Sequence, residues 1–178
     1  MSDDLIFCVL ANDAALQDTT DGVAVFKSIG VQASAGRVIL PASTAYFFEA
    51  QYLITNTGTN SHTWAVNFTL GSGVTISYAV RAHSATAVDA LAAVNGIFQA
   101  ATVSSAPTPV VTPASTSATE HVVINISGVI RMSEQPAAII PRVQLSATTG
   151  GTITVLAGSF FRATPIGNNT ARSFGTWG

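Results

Sequence analysis

"AYFFEAQYLITN", Ala45 to Asn56, is the stretch on which the fold turns. Its residues alternate with the period of a β-strand: Tyr46, Phe48, Ala50, Tyr52 and Ile54 fall on one face, Phe47, Glu49, Gln51, Leu53 and Thr55 on the other. The first face is wholly apolar. The second mixes large apolar groups with polar ones, the composition of a strand that lines a core on one side and touches a neighbouring subunit on the other.

The same period runs outward from this stretch. In "TWAVNFTL", Trp64, Val66, Phe68 and Leu70 oppose Thr63, Ala65, Asn67 and Thr69. In "VTISYAVRA", Val74, Ile76, Tyr78 and Val80 oppose Thr75, Ser77, Ala79 and Arg81, and Gly71 to Gly73 between the two runs predicts a hairpin. "HVVINISGVIRM" sets Val122, Ile124, Ile126, Ile130 and Met132 on one side, with Gly128 interrupting as a bulge or a close backbone approach. Shorter runs cover Val23 to Ile29, Arg37 to Leu40, Pro141 to Ala147 and Gly151 to Arg162. In the last, Gly150-Gly151 reads as a hairpin turn, Gly158-Ser159 as a kink or bulge, and Phe160-Phe161 as one residue for each face. Helix signals are limited to a turn after Asn12 in "NDAALQD" and one or two Ala-rich turns between Ala85 and Gly96. Short strands separated by turn clusters predict an all-β fold, an antiparallel sandwich or barrel.

Composition restricts the function. The 178 residues carry a net charge of −2, and only 9% are charged, against the roughly 25% usual in soluble domains. No basic footprint for nucleic acid and no basic amphipathic stretch for a membrane surface is visible. Ser and Thr together number 39 and Ala 28, so hydroxyls and small groups cover the surface. The mean hydropathy of +0.44 exceeds what one small core would bury, and subunit contact is the simplest outlet. "LIFCVLA" is too short to span a bilayer and follows Asp3 and Asp4 instead of a basic segment, which predicts no secretory signal. Its Cys8, alone in the chain, reads as a small buried hydrophobe.

Residues with chemical potential do not assemble into a site along the sequence. His62, His83 and His121 lie on or beside different strands, and Asp89 and Glu120 are the acids near them in sequence. The expectation is hydrogen-bonded histidines, with neither metal nor cofactor bound; one histidine near a threefold axis is the remaining route to a metal. Ser159 in "AGSFF" lacks the glycines and the following helix of a nucleophile elbow, and is expected to be structural. Glu49 and Glu134 are the acids outside the termini and loops. Glu49 is expected to pair with an arginine or face solvent. No phosphate-binding glycine loop occurs. Asn67-Phe68-Thr69 and Asn125-Ile126-Ser127 match the glycosylation pattern but lie inside predicted strands. The expectation is a protein that is not an enzyme.

Taken in order, "LANDAALQDTTDGVAVFKSIG", "ILPASTAYFFEAQYLITNTGTNSHTWAVNFTL", "HVVINISGVIRM" and "GGTITVLAGSFFRATPIG" resemble small tailed-phage virion proteins with a trimeric, tumour necrosis factor-like jelly roll. The resemblance spans roughly Asn12 to Gly167. It implies an N-terminal arm over 1–30, a jelly-roll sandwich over 31–167 and a C-terminal tail over 168–178. It further implies a homotrimer at the virion surface, made in the host cytoplasm. Its role would be that of a capsid decoration or cement protein, bound to the major capsid protein or another virion protein. A receptor- or glycan-binding fibre tip is the alternative, disfavoured because no coiled-coil heptads or repeats precede the sandwich. The trimer seam is assigned to Phe47, Leu53 and Phe160, and anchoring on the partner surface to Leu5, Phe7, Phe174 and Trp177. Neither nucleic acid nor membrane is expected as a partner.

Overall fold

The computed structural model describes residues 5–26, 36–85, 97–103 and 110–168. Among them the chain forms strands and turns and no helix. In chain order the strands are β1 (Ile6–Val9), β2 (Ala14–Leu16), β3 (Val23–Ala24), β4 (Val38–Leu40), β5 (Thr44–Asn56) and β6 (Trp64–Leu70), followed by β7 (Thr75–Ala85), β8 (Ile97–Val103), β9 (Glu120–Arg131), β10 (Ala137–Leu145), β11 (Ile153–Val155) and β12 (Phe160–Asn168). They build two antiparallel sheets that face each other across one core. The larger runs β1-β12-β5-β9-β7-β8, with β11 joining β2 to β5; the smaller runs β3-β10-β4, with β6 also on β10.

The order β1-β12-β5-β9 facing β4-β10-β6 is the interleaving of a jelly roll, in which successive strands alternate between sheets. One strand departs from it. β7 would border β6 in a complete roll, yet it pairs with β9 from Thr75↔Arg131 to Ala85↔His121 and so extends the larger sheet. The turn at Gly71 to Gly73 is therefore not a hairpin. It carries the chain from the smaller sheet to the larger, pinned where the Gly71 N–H donates to the Ala138 carbonyl at 2.9 Å. Both strands still bury alternate residues in the same core, so the alternation is the same for a hairpin and for a crossing between facing sheets. Gly150-Gly151 is likewise a crossing, from β10 to β11, and Gly158-Ser159 forms the turn between β11 and β12 in place of a kink within one strand.

The residues expected as an N-terminal arm belong to the sandwich in their described part. β1 pairs with β12, β2 with β11 and β3 with β10. Two carboxylates hold this segment down. Asp13 accepts the Ala157 N–H at 2.8 Å, and Asp18 accepts those of Thr149 and Gly150 at 2.7 and 2.8 Å. Ala14–Leu16, expected within a helical turn, is drawn into strand by its pairing with Ile153–Val155. The expected helix between Ala85 and Gly96 lies, beyond Ala85, outside the described residues.

At the centre β5 pairs with β9 from Ala45↔Arg131 to Asn56↔Glu120, and with β12 from Phe160↔Gln51 onward. Tyr46, Phe48, Ala50, Tyr52 and Ile54 are all buried, as the alternation requires. The inward residues of β9 keep phase through Gly128, which registers with both Phe48 and Tyr78. There is thus no bulge; the glycine permits a close approach. A Cβ there would lie 2.1 Å from the Ser77 carbonyl oxygen and 2.7 Å from the Tyr78 Cα. Beside it the core is packed with rings: Phe48 meets Phe68 and Phe161 at 5.6 Å each, and Phe68 meets Tyr78 at 5.1 Å between centroids. Desolvation pushes the Tyr78 phenol up to about 12.

Two substitutions test this core. Gly128→Ala should lower stability by about 1–3 kcal/mol, the usual cost of overpacking, seen as a fall in the thermal midpoint. The Tyr52 hydroxyl is buried without a partner, and burial with the neighbouring Tyr78 drives its ionisation far above the usual phenol range. Tyr52→Phe removes an unsatisfied group, so the midpoint should hold or rise.

Candidate functional site

Two regions gather side chains of chemical interest. The first closes one end of the core. Asn56, Ser84 and Glu120 share the inward phase of their strands β5, β7 and β9, and each stands at or next to a strand end. They meet Trp64 at the start of β6 and His62 just before it. Asn56, His62, Trp64 and Glu120 are each 1% exposed.

Glu120 is the hub. Its Oε2 lies 2.9 Å from His62 Nε2 and accepts from Trp64 Nε1 at 3.1 Å, with the Asn56 amide at 3.4 Å. Ser84 Oγ donates to Oε1 at 3.1 Å. The other imidazole nitrogen, Nδ1, lies 2.8 Å from the Asn60 carbonyl, which can only accept. Nδ1 therefore carries a proton, while Nε2 faces both the Glu120 carboxyl and, at 3.3 Å, the Asn56 amide. The result is a buried, hydrogen-bonded His62–Glu120 pair with the Asn56, Trp64 and Ser84 side chains as further partners. Being sealed, it acts on the fold: it ties the ends of β5, β7 and β9 to the loop before β6. Glu120, read from the sequence as a loop acid, was legible through its phase, since it stands two residues before Val122 and four before Ile124.

The second region is the outer face of the larger sheet. Strand registers set two rows side by side across five strands. One row is Val9, Phe160, Gln51, Asn125 and Arg81; the next is Phe7, Arg162, Glu49, Ser127 and Ala79. Phe47 and Val129 flank these rows on one side, Leu53 and Val123 on the other. Phe47, Leu53 and Phe160 therefore share a single face, and Leu5 and Phe7 join them from the edge strand. Leu5 is 56% exposed, Phe7 55%, Val9 47% and Phe47 40%. The Phe7 and Phe160 rings stack at 6.1 Å. Phe174 and Trp177 lie outside the described residues. Val9, Val123 and Val129 extend the patch and follow from the same alternation.

The middle of the face is polar. Glu49 pairs with Arg162, whose Nε is 2.6 Å away, and Gln51 donates to Asn125 at 2.9 Å. A trough of about 300 Å³ opens there, lined by Glu49, Arg81, Asn125, Ser127, Phe160 and Arg162.

The remaining singled-out residues have local roles. Ser159 is buried; its hydroxyl donates to the Leu156 carbonyl and accepts the Leu53 N–H, both at 2.9 Å, so it braces the turn before β12. Cys8 is half-buried against the core, and burial raises its thiol above the ordinary range. His83 and His121 are half-buried on the outer face of the larger sheet, away from His62. Among the described residues no three His, Cys, Asp or Glu side chains gather as a metal site.

No family model and no curated protein matches the chain. Among solved structures, the chain is similar at 12% identity and a TM-score of 0.28 to the CBM22-1–GH10 modules of endo-1,4-β-D-xylanase 10B from Clostridium thermocellum, complexed with xylohexaose. That match covers 94% of this chain and 27% of the xylanase chain. So low a TM-score carries no argument about function.

The buried pair yields a direct test. Glu120→Gln or His62→Ala leaves buried polar groups without partners, and should cost about 1–3 kcal/mol in denaturant unfolding. An unchanged midpoint for both would show that the cluster does not hold the sheet ends together.

Proposed function

We propose that this chain is a structural protein of a tailed-phage virion, without catalytic activity, that works as a homotrimer and clamps the capsid surface through contacts with the major capsid protein. The observation that carries the self-assembly part is the exposed apolar group on the outer face of the larger sheet. Leu5, Phe7, Val9 and Phe47 are open to water on a chain with few charges. A closed threefold ring needs two different patches on each subunit that fit one another. The edge strand β1, with Phe7 and Val9, and the flanks carrying Phe47, Leu53 and Val123 offer two such patches. Phe160, stacked on Phe7, joins them.

The virion assignment rests on the resemblance in order and spacing described above. It accords with a surface built from hydroxyls and small side chains instead of a basic footprint. The seam in this reading comprises Phe47, Leu53 and Phe160, extended by Phe7 and Val9. Leu5 stands at its margin, available to the capsid.

Phe7→Asp and Phe47→Asp place a charge on the outer face and leave the core untouched. Light scattering should report a shift from trimer toward monomer, with far-UV circular dichroism unchanged. For the capsid role, purified chain added to empty capsids lacking it should raise the temperature at which they rupture. Capsids that neither bind the chain nor gain heat resistance would remove the cement reading.

A further inference from the structure

The outer face of the larger sheet inverts the usual anatomy of a contact surface. Protein interfaces have an apolar centre and a polar rim. Here Phe47 and Val129, Leu53 and Val123, and the Phe7–Phe160 stack surround a centre made of Glu49, Arg81, Asn125, Ser127 and Arg162. Simple apposition of two such faces would strand these polar groups, and a buried guanidinium without a partner is costly. The Glu49 carboxylate is taken by Arg162. Among the described residues no carboxylate lies within ion-pair distance of Arg81, so among them its guanidinium is the one charge of the trough left unmatched. Its floor at Ala79 and Ser127 is open because both side chains are small.

We infer that this trough binds a hydroxylated organic anion about the size of one sugar ring, its carboxylate held by Arg81. A guanidinium receives a carboxylate through two parallel hydrogen bonds. Asn125, whose Oδ1 accepts from Gln51 and whose amide carries two N–H groups, and Ser127 stand beside it with donors and an acceptor, the pairing that adjacent hydroxyls require. Phe160 contributes an apolar ring surface to the wall, suited to the C–H face of a saturated ring. The volume of about 300 Å³ is at the lower limit of small-ligand pockets, roughly 300–1,000 Å³, which fits one ring and not a chain. Within the assembly proposed above the ligand sits inside the ring of seam residues, next to Phe160. The inference rests on that reading for this placement alone, because the trough is complete within one chain.

The test is a titration of the full chain with glucuronate, with glucose and acetate as controls, followed by calorimetry or saturation-transfer NMR. Glucuronate should bind saturably, and at least about tenfold more tightly than either control, since only it offers both the charge and the hydroxyls. Arg81→Gln should weaken glucuronate about tenfold or more and bring it level with glucose. Ser127→Leu, which fills the floor, should abolish binding of all three. Absence of glucuronate binding, or an affinity unchanged in Arg81→Gln, overturns the inference. Acetate binding as tightly as glucuronate overturns the role of the hydroxyls. Light scattering on the same samples separates the two proposals: a monomer that binds glucuronate refutes the seam and not the trough, and a trimer that does not bind it refutes the trough alone.

Discussion

The structure depends on β5 being paired along both edges. With β9 on one side, and β12 and β11 on the other, its backbone groups are committed to the sheet. The only freedom left to its side chains is which face they take. Five inward residues then meet β6 and β10 across the core, and the outward ones must find water or a partner. Phe47 and Leu53 are outward because Phe48 and Tyr52 are inward. A one-residue slip would exchange the two sets and bury Glu49 and Gln51, so the core fixes the composition of the outer face.

The two ends of the core are closed differently. Near Gly128 the sandwich is packed with rings, and the missing side chain lets the backbone of β9 approach β7 closely enough for Phe48 and Tyr78 to flank it. At the opposite end, where β5, β7 and β9 begin or finish, rings give way to the His62–Glu120 pair and its donors. Buried polar clusters of this kind are costly to break, because a removed partner leaves desolvated groups unsatisfied. Their directional bonds suit them to holding the strand ends in register. Asn56, at the end of β5, accepts the Gly58 N–H at 2.9 Å and so starts the loop that delivers His62.

Much of this was legible in the alternation. The inward faces of β5, β7 and β9 and the outward positions of Phe47, Leu53 and Phe160 follow from the period of two. That Ser159 is structural follows from the absence of an elbow; that Glu49 pairs with an arginine is one of two expectations, and only the register of β5 with β12 names it as Arg162. Strand partnership was not legible. Gly71 to Gly73 and Gly150-Gly151 look like hairpin turns because a turn between facing sheets uses the same glycines as a turn within one sheet. The N-terminal segment reads as an arm because β1 and β2 are too short to show a period, and the run that contains β3 reads as a strand without showing its partner. Their strand character comes from β12, β11 and β10, far away in sequence. Glu120 was hidden by its neighbourhood of Thr and Ser, although its phase with Val122 pointed inward. The trough was beyond reach, because its walls come from four strands whose order along the sheet no local pattern encodes.

The central claim is that the outer face of the larger sheet is where copies of this chain meet. Sedimentation equilibrium of the unaltered protein over a wide range of concentrations tests it most directly. The account predicts one species with three times the 18.3 kDa mass of the chain, persisting on dilution. A single species of 18.3 kDa at every concentration would contradict it.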